Sequence, residues 1–296
     1  MKSVLFVVCI GLSLSAWGQL THPKASPFAK IEQEIGLSNI SVAYSRPAVK
    51  GRLIFGNDSD GLPGLVPYGR IWGVGANEAT KITFDTDINV LGNILPKGSY
   101  ALYAFPSEKD WQIVFHKNTT HWGDGRTAYD ASQDALRVSV IPTKAIHFQE
   151  NFSISFDAIT HDSVNMIWQW ANTKITVPIA VDTNSVMEKQ IKQKLEKSPT
   201  AQTYYEIARY YQEQGVKTSE ALEHVNKALE LGGETYYFYR IKSLLQAELG
   251  KYTAAILSAI KSRDISESLG KDEFVSMNQR NIKVWEKIKN AVKEER

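Results

Sequence analysis

The hydrophobic period of this 296-residue chain changes once, near Val181, and that change constrains its fold more than any other feature. Before it, apolar and polar residues alternate in short runs separated by turn residues, the pattern of half-buried strands. Ile40, Val42 and Tyr44 alternate with Ser41, Ala43 and Ser45. Runs at 81–84 and 88–91 flank Asp85-Thr86-Asp87 and predict a hairpin. Pro96-Lys97-Gly98 turns into a run at 99–105, and residues 106–110 turn into another at 111–116. Further strands are expected at 136–141, 146–156, 164–170 and 174–179. About nine strands with no helical pattern between them predict an antiparallel β-sandwich, immunoglobulin-like or jelly-roll-like.

Beyond Val181 the spacing becomes helical. Met187, Ile191 and Leu195 recur every fourth residue, the stripe of an amphipathic helix. Ser198-Pro199 reads as an N-cap followed by proline at the first helical position, opening a helix to Gln214. Thr218 or Ser219 is expected to cap the next, which Gly232-Gly233 ends. Helices are also expected at 235–249, 253–269 and 272–295. An offset of 34 residues carries Tyr205 onto Tyr239, Ala221 onto Ala255 and Leu222 onto Ile256. Gly250-Lys251-Tyr252 followed by Ala255 resembles the turn and second-helix opening of a tetratricopeptide repeat. Small residues at such positions let paired helices approach closely. The expected class is therefore α+β multidomain: a β-sandwich domain over 19–181 and a helical tetratricopeptide-like array over 182–296.

The N-terminus predicts export. Lys2 precedes an apolar stretch at 4–14, shorter than the ~20 residues a spanning helix needs. Ala16-Trp17-Gly18 supplies the small residues of a cleavage site, so residues 1–18 read as a cleavable signal peptide. Cys9 lies inside the apolar stretch, behind Val8, where a lipid-modified cysteine would follow it; a periplasmic or secreted protein is expected, not a lipoprotein. Cleavage removes the chain's one cysteine, which excludes disulfides, thiol catalysis and thiolate metal ligation in the mature protein. A net charge of +2 supplies no basic field for nucleic acid or anionic lipid, and no second apolar run reaches spanning length.

The most informative segment runs from 40 to 84. It holds Tyr44-Ser45-Arg46-Pro47, Gly51-Arg52-Leu53-Ile54-Phe55-Gly56, Pro67-Tyr68-Gly69-Arg70-Ile71-Trp72 and Gly75-Ala76-Asn77-Glu78-Ala79-Thr80. With Pro96-Lys97-Gly98-Ser99-Tyr100 and Trp122-Gly123, these stretches resemble the domain-of-unknown-function 2911 family over roughly residues 25–175. The resemblance implies an exported bacterial protein with a β-rich domain and brings no established activity. Gly73-Val74 stands where the resemblance implies an Arg-Thr pair; a site that used that arginine is altered here.

Read by its chemistry, the segment gathers Arg46, Arg52, Tyr68, Arg70, Trp72, Asn77 and Glu78 among glycines and prolines. Guanidinium forks and amides make oriented hydrogen bonds, and Trp and Tyr offer stacking faces. Arg46, Tyr68, Arg70, Trp72, Asn77 and Glu78 are the candidate ligand-binding residues, suited to a small polar or glycan ligand. The same inventory suits a structural clasp that satisfies the backbone of a long crossover.

Other chemistry finds less support. His116 and His121 lack the helical spacing of a His-Glu-x-x-His site, and His147 and His161-Asp162 would join them only through the fold. Residues 57–61 fail as a calcium loop, because Gly56 and Pro67 would occupy its first and twelfth positions. Asp124, Asp130 and Asp134 in the long loop at 117–134 are acidic without a ligand pattern. No metal or cofactor is therefore expected. Nucleophile-elbow and phosphate-loop patterns are absent. Three readings remain: a binding protein with its site in the β domain, a glycan-directed hydrolase using Glu78 with Asp85, Asp87 or Asp124, and a scaffold docking a protein partner on tyrosine-rich helices.

Overall fold

The computed structural model describes residues 22–123 and 125–294. The leader expected over residues 1–18 lies outside the described residues. The chain divides into two compact units, the first ending at Thr183 and the second starting at Asn184. Antiparallel sheets build the first and six helices the second, a mixed α+β architecture.

The strands are β1 (Phe28–Ile35), β2 (Ser38–Ser45), β3 (Lys81–Phe84), β4 (Ile88–Val90), β5 (Asn93–Leu95), β6 (Gly98–Phe105), β7 (Trp111–His116), β8 (Asp134–Val140), β9 (Thr143–Asp157) and β10 (Ser163–Val181). One sheet runs β1-β2-β3-β6-β7-β8 and the other β5-β4-β10-β9. Neither the immunoglobulin-like nor the jelly-roll-like subtype is assigned by this order.

Three details differ from the sequence expectation. β1 and β5 add to the expected strands, and the separate runs at 164–170 and 174–179 are one long strand, β10. The hairpin expected between 81–84 and 88–91 does not form: β3 pairs with β2 and β6, whereas β4 pairs with β5 and β10. Asp85-Thr86-Asp87 instead carries the chain from one sheet to the other. Asp85 accepts from the backbone and side-chain amides of Asn39, and Asp87 accepts from Lys97 N, so both carboxylates satisfy donors at the crossing. The two-residue turn is Leu91-Gly92, both at positive φ (51° and 86°), as a hairpin matched to the strand twist requires.

Alternation sorts the side chains. Ile40, Val42 and Tyr44 of β2, Ile82 and Phe84 of β3, Leu102 of β6 and Ile113 and Phe115 of β7 join Val90, Met166, Trp168 and Ile179 of the second sheet in one buried cluster. Part of that cluster is aromatic. Trp72 stacks on Trp170 (centroids 5.8 Å, 21° between planes) and meets Phe152 edge-on at 5.2 Å, while Phe55 meets Trp111 at 4.8 Å.

The second unit holds α1 (Thr183–Leu195, which opens at the boundary), α2 (Ala201–Gln214), α3 (Thr218–Gly232), α4 (Tyr236–Glu248), α5 (Tyr252–Ser268) and α6 (Asp272–Glu294). It is consistent with a helical repeat array. Gly215 and Gly250 take positive φ (64° and 72°) in the α2–α3 and α4–α5 turns, and Ala221 and Ala255 are fully buried in α3 and α5. The cap of α2 is Thr200, which accepts from Thr203 N in a reciprocal capping box; Ser198, at φ 55°, lies outside the helix. Lys217 precedes α3 without a side-chain cap, so neither Thr218 nor Ser219 serves there. Of the clustered tyrosines, Tyr211 is fully buried, and Tyr204, Tyr205, Tyr210 and Tyr237 pack on the same core. Among the described residues no helix is long and apolar enough to cross a membrane.

Trp72→Ala should lower the stability of the β-rich unit by about 3–5 kcal/mol, the range for deleting a buried aromatic. Denaturant unfolding of the full chain, followed by tryptophan fluorescence, measures this; a loss below about 1 kcal/mol would contradict the ring packing described.

Candidate functional site

On its β3 side, β6 has a single line of backbone partners. Leu102 N donates to Thr80 O (2.8 Å), Ala104 exchanges both backbone bonds with Trp72 (2.8 and 2.9 Å), and Gly69 N donates to Pro106 O (2.8 Å). Trp72 and Thr80 are therefore near-neighbours along that line, and residues 73–79 must leave it. They form an excursion that is the Gly-Ala-Asn-Glu stretch of the sequence signature.

The excursion is tied down by hydrogen bonds at Val74, Gly75, Asn77 and Ala79. Trp72 Nε1 donates to Gly75 O (3.2 Å), and Thr80 Oγ1 donates to Val74 O (2.5 Å). Asn77 Nδ2 donates to Ser26 O and Ser45 Oγ, both at 3.2 Å. Gly123 N donates to Asn77 O (2.6 Å) and Ala79 N to His121 O (3.1 Å), so the excursion pairs with the distant loop after β7. Gly75 is required by its surroundings: its φ is 144°, and a Cβ there would lie 2.9 Å from Ser45 O. Asn77 sits at φ 64°, a conformation asparagine tolerates better than most residues.

This short ladder has two faces. Ala79 packs with Ala101, Tyr103 and Val114 on the outer face of the six-stranded sheet, and Tyr103 OH hydrogen-bonds His121 Nδ1 at 2.7 Å. Glu78 stands opposite Trp122 in an antiparallel bridge. Opposed residues of such a bridge share a face, with Cβ atoms about 4.5–5.5 Å apart. Glu78 is exposed, and Trp122 keeps 68% of its surface in solvent.

Beside Glu78 lies an open concavity of about 200 Å³ lined by Phe28, Ala43, Tyr44, Ser45, Glu78, Ala79 and Lys81. Small side chains make room for it: Lys81 of β3 is in register with Ala43 on one side and Ala101 on the other. Among the described residues neither Glu78 nor Lys81 enters an ion pair, whereas the neighbouring Lys30 is held by Glu32.

The loop after β7 is pinned over the same sheet. His116 is fully buried, donates from Nε2 to Asp130 O (3.0 Å) and accepts from Asn118 N at Nδ1 (3.1 Å). Tyr129 OH donates to Asp134 (2.8 Å) and accepts from Arg137 Nη2 (2.5 Å), and the Arg137 guanidinium lies 4.7 Å above the Phe105 ring. Asp130 caps the short turn Ala131–Gln133, and the amide and hydroxyl of Ser132 hold its carboxyl below the usual range. Burial pushes the Tyr103 phenol up to about 12. Burial, reinforced by the Asp134 carboxylate, does the same to Tyr129. Among the described residues no group of three or more His, Cys, Asp or Glu side chains could hold a metal, and Asp124 lies outside them.

The candidate residues occupy distinct places. Asn77 and Glu78 are together on the excursion, and of the six only Glu78 lines the concavity. Trp72 is buried among aromatic rings. Arg46 Nε donates to Phe152 O (2.9 Å), tying the start of the crossover to β9, and Arg52 donates to Val49 O and Ala48 O (3.0 and 2.5 Å) within the crossover itself. Tyr68 is 40% exposed with its ring over Gly56, and Arg70 is exposed. Choosing from sequence overlooks Phe28 and Lys81; outward alternation on β2 and β3, with small residues flanking Lys81, was the available signal.

The fold and this decorated outer face define a β-rich domain joined to a helical repeat-like array. The family described as "Protein of unknown function (DUF2911)" matches residues 26–179, more than half of the chain, and the chain belongs to that family. No curated protein and no solved structure matches it.

Because folding raises the Tyr103 and Tyr129 phenols above their unfolded value, the folded state favours the neutral form of each. Their contribution is complete below about pH 10 and is lost as the pH rises towards about 12. Unfolding free energy measured by denaturant titration should fall across that window, and Tyr103→Phe should flatten the fall; an unchanged slope would show that Tyr103 titrates equally in both states.

Proposed function

We propose that the β-rich unit is a ligand-binding module, exported to the periplasm or beyond after removal of residues 1–18. Its contact point for a small polar ligand is Glu78 with Trp122. One observation carries this reading: on an excursion whose other polar side chain, Asn77, is committed to the fold, a carboxylate without an ion-pair partner among the described residues shares a face with an exposed indole, beside a concavity. Exposed aromatic faces beside hydrogen-bonding side chains are the recurrent means of holding polar rings and cations. In this proposal Asn77, Arg46 and Trp72 set the shape of the excursion and its crossover, and Tyr68 and Arg70 form a separate exposed group.

The hydrolase reading is less well supported. Glycoside hydrolysis uses two carboxyl groups about 5–10 Å apart. Among the described residues Glu78 is the single carboxylate lining the concavity. The scaffold reading loses part of its motive, because most of the helical tyrosines pack within their own unit.

Calorimetric titration of the full chain with a panel of sugars, amino acids and other small polar solutes should find at least one ligand. Glu78→Gln and Trp122→Ala should each weaken it about tenfold, or about 1.4 kcal/mol, with the thermal midpoint unchanged. Binding undiminished in both variants, or no binding by any solute, would overturn the assignment.

A further inference from the structure

We infer that the Glu78 concavity receives a small zwitterion, with an ammonium and a carboxylate on one short skeleton, as in an amino acid or a betaine; this rests on the binding reading above and names its ligand class. Two opposite charges line the concavity, Glu78 and Lys81, and they do not pair with each other or with any described residue. Lys81 is half-buried between two alanines of the adjacent strands, which lowers the local dielectric and strengthens its field. A neutral polyol would answer neither charge. An anion would be repelled by Glu78 and a cation by Lys81. A dipolar molecule meets both charges favourably.

Ser45 supplies an independent observation. It is 4% exposed and lines the concavity, and its Oγ accepts from Asn77 Nδ2. Among the described residues its hydroxyl donates to no partner, so a buried donor remains for a ligand carboxylate beside the Lys81 ammonium. The Glu78 carboxylate of the lining is a receptor for the ammonium by ion pairing, and the Trp122 indole, outside the lining but on the same face of the ladder, adds attraction to the ring. Phe28, 58% exposed, gives an apolar wall for a side chain or for methyl groups. The volume of about 200 Å³ is below the ~300–1,000 Å³ of pockets for drug-sized molecules, which restricts the ligand to a few bonds in length.

Half-charge analogues test the assignment. The full chain is titrated calorimetrically with L-phenylalanine and glycine betaine as zwitterions, phenethylamine as the amine alone, 3-phenylpropionate as the acid alone, and methyl β-glucoside as the neutral ring. At least one zwitterion should bind ten or more times tighter than either half-charge analogue and the glucoside. Glu78→Gln should weaken it at least tenfold, and Lys81→Met should remove the preference of phenylalanine over phenethylamine, with thermal midpoints unchanged in both. Glu78-dependent binding of the glucoside without binding of the zwitterions would overturn the zwitterion and leave the binding site standing. Zwitterion binding that survives both substitutions would overturn the location, and no binding of any probe would overturn the zwitterion, the binding site itself then falling only if the wider panel above is also silent.

Discussion

A strand line that must place Trp72 in the core and Thr80 beside Leu102 cannot also contain the residues between them. Trp72 is held from two sides: its backbone is locked to Ala104, and its ring is wedged among Phe55, Trp111, Phe152 and Trp170. Thr80 is held by Leu102 N and, through its hydroxyl, by Val74 O. Residues 73–79 consequently leave the line: Gly73 and Val74 stay buried, Val74 turning into the core at φ 51°, and the outer face is reached after Gly75 crosses Ser45 at a distance no side chain would permit. The position of Glu78 is thus fixed by packing several residues away. An exposed carboxylate can be presented reproducibly only when the backbone beneath it has no alternative hydrogen bonds to make.

Polar satisfaction of the second loop completes that surface. A fully buried imidazole would be destabilising unless both nitrogens found partners. His116 finds them in Asn118 N and Asp130 O, two points of the loop it supports. His121 meets Tyr103, and Tyr129 bridges Asp134 and Arg137. These contacts bring residues 121–123 alongside 77–79. His116, His121, Asp130 and Asp134, which look from sequence like candidate metal ligands, are thereby engaged with backbone, tyrosine or arginine.

Much of the architecture was legible because it depends on local period. Alternation located most strands, and the 34-residue offset found Ala221 and Ala255 at equivalent buried positions of α3 and α5. What was not legible depends on pairing. Nothing local tells Asp85-Thr86-Asp87 that it leads to another sheet and not to a hairpin; the distinction lies in Asn39 and Lys97, which supply the donors. β5 is too short to announce itself, and Thr173 stays within one strand because it pairs with Lys144 across the register irregularity that follows Ala171. The signature segment was recognised as important, yet its residues divide by depth. Trp72 went to the core, Arg46 and Arg52 to backbone carbonyls, and Glu78 to solvent. The partner of Glu78, Trp122, lies more than forty residues away, and only the register of a two-segment bridge puts them on one face.

The division between clasp and site is therefore not a choice between alternatives for the segment as a whole. Period-two alternation along 77–79 assigns each residue to one role: Asn77 and Ala79 turn towards the sheet and hold the excursion, and Glu78 between them turns away. A carboxylate on a flexible loop would lose side-chain and backbone entropy on meeting a ligand. Here the backbone entropy has already been lost to folding, so a ligand at Glu78 has only the carboxylate's own rotamers to order. The same logic applies to Lys81, whose stem rises from a central strand between small neighbours. Two charges carried on ordered backbone, near each other and unpaired, are pre-organised for a ligand in a way that equal charges on mobile loops would not be.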